Sequence, residues 1–428
     1  MAIAGFLTIL FFLVAIISKR ISVITALVLI PIASALIMGI PVKELGPMML
    51  DGIKQVAPTG IMLVFAVLYF AIMLDVGLFD PVIRRLLKIV GGDPLKVILG
   101  TAILTMLVHL DGDGTATFMI VISAFLPLYE RLQIKKVYLA GIVALAVGPI
   151  HLVPWSGTSA RAISTLQTDA THIFNPNLIP ILGGILWVLF VAYFWGKKER
   201  ARLGIQEFFG EEVDLKAEPN FKRPRLIWFN ALLTITLIFL LIKGFWPTPV
   251  LFLVGAMLAL IINFPNLSTQ SQVLKSHGTN IFSVSSMIFA AGIFSGILTG
   301  SKMIEAMATA MVEAVPAAHA NWIPTLTALT SVPASLLFTP DAYYFGVVPV
   351  LAKTVSSFGM DALQIGRAAL LGQMTVGFPI SPLTASTFLL ISLTKVELGE
   401  HQKNTFLWAV GTSVVMTIFA LLAGSLTI

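Results

Sequence analysis

The chain has 428 residues, of which 57% are hydrophobic and 11% charged. Soluble domains carry about a quarter charged residues, so this composition excludes an ordinary globular protein and points to the bilayer. The net charge of +6 is no nucleic-acid signal, since the basic residues cluster in loops, and the lack of cysteine excludes disulfides and thiolate chemistry.

Apolar stretches of about 20 residues, long enough to cross about 30 Å of hydrocarbon, occur at 2–18, 21–41, 59–78, 178–196, 226–242, 247–264 and 406–427. The first, "MAIAGFLTILFFLVAIISKR", lacks the basic n-region of a secretory signal and reads as a spanning helix. Basic residues then set the orientation. Lys19, Arg20, Arg84, Arg85, Lys88, Arg131, Lys135 and Lys136 fall in short loops, and 197–225 contains "KKERAR" and "KRPR". With all of these in the cytoplasm, both termini lie outside, as do the loops 42–57, 169–176 and 243–248.

That arrangement closes only if 94–130 enters and leaves on one side. Its two apolar arms, about 16 residues each, are short for spans. Between them stands "HLDGDGTATF", a turn sequence tolerated at membrane depth only when buried in protein or lining a wet cavity. A re-entrant hairpin satisfies both demands. Two ordinary helices would carry the basic 131–136 loop outside.

The next stretch, 137–169, is interrupted by "GPIHLVPWSGTSAR". Two prolines, a glycine and several polar residues favour a discontinuous helix over a simple kink. The pattern returns in the second half, with "FTPDAYYFG" inside a short apolar pair at 321–352 and "GQMTVGFPISPLTAST" interrupting 365–395. Pro154-Trp-Ser156-Gly-Thr-Ser159-Ala160 and Pro379-Ile-Ser381-Pro-Leu-Thr384-Ala385 share the pattern P-x-S-x-x-[S/T]-A. The expected fold is therefore an all-α integral membrane protein of two repeats, 1–197 and 226–428, joined by a cytoplasmic linker at 198–225. Each repeat has about five transmembrane helices, one re-entrant hairpin and one discontinuous helix. An odd number of spans makes the second repeat inverted, the architecture of secondary transporters.

The chemistry concentrates at these breaks. Asp111 and Asp113 are ionisable groups at membrane depth, functional by default. The two would act as a proton carrier or as ligands for a hard cation; alternatively, one merely caps the following half-helix. His109 and His151 are candidates for proton coupling, as is Asp341 at the second tip, although a buried histidine also serves as a hydrogen-bonded structural residue. Ser156, Gly157, Thr158, Ser159 and Arg161 form an expected anion receptor, opposed by Ser381, Thr384, Ser386 and Thr339. Serine and threonine also glue transmembrane helices together. No G-x-x-x-x-G-K-[S/T] run occurs, so ATP is not the expected energy source. A channel or an intramembrane enzyme fits less well, the latter for want of a nucleophile–base pair.

At these residues the chain resembles a known family. "LDGDGTATFMI", "PWSGTSARA" and "FPISPLTAST" are similar to the CitMHS family of bacterial divalent-metal–citrate:proton symporters, over nearly the whole chain. The resemblance implies import of citrate complexed with a magnesium- or calcium-class cation, co-transported and not a resident cofactor, across the cytoplasmic (inner) membrane. Asp111 and Asp113 would take the proton or face the citrate-bound metal. The better-known dicarboxylate relatives of the wider ion-transporter superfamily imply a homodimer and an elevator mechanism. Where those relatives carry Ser-Asn-Thr, this tip has Asp111 to Thr115, which leans from sodium towards protons. Another organic anion, a dicarboxylate or gluconate, driven by protons or sodium or moved by exchange, is the alternative.

Overall fold

A computed structural model describes residues 1–18, 20–206 and 221–427. Lys19, and half of the expected linker (207–220), lie outside the described residues. The described chain is helical, with no strand. The first half comprises α1 (Ala2–Ile17), α2 (Val23–Ile37), α3 (Val42–Asp75), α4 (Asp80–Val90), α5 (Pro94–Val108), α6 (Gly114–Arg131), α7 (Lys136–Ile150), α8 (Gly157–Thr165) and α9 (Ala170–Leu203). The second half comprises α10 (Ile227–Lys243), α11 (Thr248–Asn263), α12 (Leu267–Gly300), α13 (Met303–Ala314), α14 (Trp322–Leu337), α15 (Pro340–Ala342), α16 (Val348–Ser357), α17 (Leu363–Leu370), α18 (Ala385–Thr394) and α19 (Leu398–Leu422).

Among the described residues, six helices, counting short helical extensions, are long and apolar enough to cross a bilayer. Three of them, α3, α9 and α12, each run for 34 residues, about 50 Å at 1.5 Å per residue and well beyond the hydrocarbon. This corrects two expected external loops, 42–57 and 169–176, which are helical. The first carries a buried stripe of Leu45, Gly52 and Val56 at helical spacing, and packing on α12 holds it wound. Gly52 is required there, because a Cβ would lie 2.0 Å from the Gly292 carbonyl oxygen. The second is started by Asp169, which accepts a hydrogen bond from the Thr171 N–H at 2.9 Å.

The linker also begins later than expected. Residues 198–203 finish α9, where Arg200 binds Asp93 and Arg202 binds the buried Glu199 at 2.5 Å. Cations in the last turn also suit the helix dipole.

Two packing groups organise the molecule. In one, α3 lies along α12 and α11, with α2 and α10 beside them. Polar side chains tie this group, as membrane helices allow: Asn230 and Asn263 exchange amide hydrogen bonds at 2.8 and 2.9 Å, and Tyr69 meets Thr234 at 2.8 Å. In the other, α7 and α9 pack on each other and on both α5 and α19, α14 lies against α17 and α19, and α6 against α18. The broken segments sit between the two groups.

Candidate functional site

The first tip is wound by its own side chains. His109–Asp111 forms one 3-10 turn. Gly112 then takes the left-handed conformation at φ +76, a geometry glycine adopts without steric cost. Asp111 Oδ1 accepts from the Asp113 N–H at 2.9 Å, and Asp113 Oδ1 caps α6 through the Thr115 N–H at 2.9 Å. Asp111 Oδ2 is buried and has no hydrogen-bond partner among the described residues. Trp155, from the first break, donates its indole N–H to the Leu110 carbonyl at 2.8 Å. Its ring is clasped by Phe70 of α3 and Phe252 of α11, with centroids 5.2 and 5.1 Å away.

The first break runs from His151 to Ser156, where Ser156 Oγ caps α8 by accepting from the Ser159 N–H at 3.1 Å. The second break, 371–384, has Met374 at φ +53 and is braced by α14. Ser335 Oγ accepts from the Met374 N–H at 2.9 Å, and Ser381 Oγ donates to the Ser335 carbonyl at 2.5 Å. The second break touches the start of α8 directly, because Thr158 Oγ1 donates to the Met374 carbonyl at 3.0 Å.

A line of polar atoms joins the first tip to both breaks. Thr117 Oγ1 donates to the Asp113 carbonyl (2.8 Å) and meets His109 Nδ1 (2.9 Å). His109 Nε2 meets His151 Nδ1 (2.8 Å), and His151 Nε2 meets Thr158 Oγ1 (3.2 Å). With the Thr158–Met374 bond, five contacts run between two backbone carbonyls. Two neutral imidazoles and two hydroxyls supply four protons, so one contact is left without one. Phe378 covers the pair, 4.7 Å from the His151 ring and 6.5 Å from that of His109.

These elements enclose a cavity of about 450 Å³, within the range of small-ligand sites. Of the expected residues, Asp111, Asp113, His151, Gly157, Thr158, Arg161, Thr384 and Ser386 line it. His109 is fully buried one contact behind His151. Ser156, Ser159 and Ser381 are buried on backbone partners, and Thr339 caps the turn at Ala342. These four hydroxyls shape the breaks and do not line the cavity. Asp341 is buried against Arg161, with Arg161 Nε donating to Asp341 Oδ1 at 2.7 Å.

The α3–α12 wall contributes residues outside the expected set. Asp75 and His277 meet at 2.8 Å, with Asn280 nearby on the same wall. Phe70, Trp155, Met374 and Phe378 complete the apolar lining. Among the described residues, no group of three or more His, Asp or Glu side chains could hold a metal ion without help from a ligand. The arrangement suits a small anion that brings its own cation: one guanidinium, unwound helix ends and the carboxyl groups of Asp111 and Asp113 border one chamber.

The profile of a family described as citrate transporter, CitMHS, matches residues 9–377. Two relatives come from Bacillus subtilis (strain 168). A citrate transporter is 48% identical, covering 99% of both chains, and a Mg(2+)/citrate complex secondary transporter is 46% identical over 100% of this chain and 99% of its own. The crystal structure of the YdaH transporter of Alcanivorax borkumensis superposes with a TM-score of 0.58 at 14% identity, covering 90% of this chain and 89% of that one. That likeness concerns the fold.

Proposed function

Because the chain belongs to the CitMHS citrate transporter family, a family of multi-pass membrane transporters and not enzymes, we propose that it imports citrate as a divalent-metal complex in symport with protons. The observation that carries this reading is the chamber itself, which Arg161 and Asp111 line together, Asp111 keeping one buried carboxyl oxygen without a hydrogen-bond partner. A trivalent citrate with a divalent cation leaves one negative charge. Its free carboxylate suits Arg161 and the α8 end, while its metal suits the unpartnered carboxylate oxygen.

In this reading the two halves are inverted repeats, and the tips 94–130 and 321–352 are re-entrant hairpins. The tips and breaks move as a unit against the α3–α12 group, in the manner of an elevator within a homodimer. Support comes from the packing, in which α8 and the second break bind each other, while Trp155 of the first break stacks on Phe70 of α3. The membrane is then the cytoplasmic one, with both termini outside.

The test is uptake of labelled citrate by proteoliposomes, with each divalent metal and with the proton and sodium gradients set separately. Uptake is expected only with a divalent cation and an inward proton gradient. Uptake that ignores the metal would defeat the substrate assignment, and sodium-driven uptake the coupling. Competition by dicarboxylates and gluconate ranks the other organic anions.

A further inference from the structure

Arg161 is the cation of the chamber, yet it is already occupied. Its Nε donates to Asp341, Nη1 to the Gly157 carbonyl at 2.9 Å, and Nη2 lies 2.8 Å from the Met287 sulfur. A guanidinium has five N–H donors, so two remain for a ligand. Arg161 lines the cavity, whereas Asp341 is buried behind it at 7% side-chain exposure. We propose that Asp341 stands in for the substrate: it holds Arg161 in the empty transporter, yields it to a substrate carboxylate, and takes up a proton as it does so. This rests on the reading of the chamber as a carboxylate-binding transport site.

The physical reason is the cost of an unpaired buried charge. Once an incoming carboxylate shares Arg161, Asp341 becomes a buried anion whose partner is divided. Protonation of its carboxylate by a proton from the cavity water removes that charge, and no other bond is made or broken. Among the described residues, no second Lys or Arg lines the cavity. Tyr343 and Tyr344 follow Asp341, and His151, the Asp75–His277 pair and the carboxyl groups of Asp111 and Asp113 line the cavity. Lys353 of α16 is exposed, Arg367 of α17 is held by Asp361, and α1 brings no titratable side chain. The chain after Asp341 departs from regular α-helix, with Tyr343–Val347 winding as a π-helix, a form frequent at functional sites.

The experiment counts protons taken up per magnesium citrate bound by purified full-length protein, in weak buffer across pH. Wild type is expected to take up one proton per complex, so its affinity falls about tenfold per pH unit where Asp341 starts ionised. Asp341→Asn is expected to take up none through this group and to bind with a flatter pH profile; Asp341→Glu should restore the wild-type behaviour. An Asp341→Asn protein with the wild-type count and slope overturns the exchange. If that variant fails to fold, infrared difference spectra of wild type and Asp341→Glu decide, because a protonated-carboxyl band must appear on binding and shift between them. Absence of such a band overturns the exchange. Phenylglyoxal labelling of Arg161 without ligand tests the lock separately: faster reaction in Asp341→Asn supports it, and equal rates overturn it. Should magnesium citrate not bind while free citrate does, the substrate reading fails, and the same count with free citrate still decides the exchange.

Discussion

His109 Nε2 lies 2.8 Å from His151 Nδ1, with ring centroids 5.0 Å apart and planes inclined by 19°. A nitrogen contact this short at that centroid separation places the rings end to end, not face to face. One nitrogen must donate and the other accept. If His109 donates from Nε2, His151 accepts at Nδ1 and carries its own proton on Nε2. If His151 donates from Nδ1, His109 carries its proton on Nδ1. Two neutral rings are therefore expected to share one tautomer. Nitrogen-15 spectra of histidine-labelled protein check this, and opposite tautomers at His109 and His151 would rule out the contact. Thr117→Val should favour the Nε2–H form of both rings, because it removes the hydroxyl beside His109 Nδ1.

The helix crossing of α3 and α12 has no space to spare. At Gly52 a Cβ would meet the Gly292 carbonyl oxygen at 2.0 Å and the Gly296 Cα at 2.9 Å, both backbone atoms that cannot rotate away. Gly52→Ala is expected to separate the two helices and cost about 1–3 kcal/mol. Thermal unfolding in detergent measures it. Gly46→Ala is the control, because nothing lies within 4 Å of its added Cβ; equal Tm values for the two variants would contradict the crossing.

The tips were legible in the sequence because charge and glycine inside an oily run have few physical explanations. Asp111-Gly112-Asp113-Gly114 had to turn, and it does. The breaks were legible for the same reason, through Pro154, Gly157 and Pro379. What a hydroxyl faces was not. Whether Ser156, Ser159 and Ser381 point into a chamber or onto a carbonyl depends on how the unwound chain folds back, which composition does not encode. Partnerships between distant residues were hidden too. Arg161 and Asp341 were both singled out, but as a substrate clamp and a proton carrier, with 180 residues between them. His277 sits in a polar run that gives no sign of being the inner end of a long helix, opposite Asp75.

Outside the membrane core, Asp93 ties the start of α5 to the end of α9. Burial pushes its carboxyl up, but the hydrogen bonds from Arg200 and the Leu95 N–H, with the charges of Arg200 and Lys96, outweigh burial and hold it below the usual range. A carboxyl depressed in the folded state contributes stability above its unfolded value, and loses that contribution as pH falls through its folded value. Asp93→Asn should therefore lower Tm at neutral pH. The penalty is about 1 kcal/mol, since Arg200 is partly exposed and its pairing is screened. The gap between variant and wild type should close in acid; a gap independent of pH would show that the carboxylate charge contributes nothing.

Asp111 and Asp113 are separated by one glycine in sequence but have separable tasks. Asp113 Oδ1 caps α6, and losing such a cap costs about 1 kcal/mol, so Asp113→Ala should lower Tm even without ligand. Asp111 spends one oxygen on the Asp113 N–H and keeps the other buried and unpartnered. Asparagine can keep the first contact through its amide oxygen while replacing a buried carboxyl oxygen that has no hydrogen-bond partner. Asp111→Asn should accordingly fold with an unchanged or higher Tm. A lost charge-assisted contact is worth about 1.5–3 kcal/mol, so magnesium citrate binding should weaken about tenfold to a hundredfold. Calorimetric titration beside thermal unfolding separates the two effects. An Asp111→Asn protein that binds magnesium citrate as wild type does would remove this oxygen from the site.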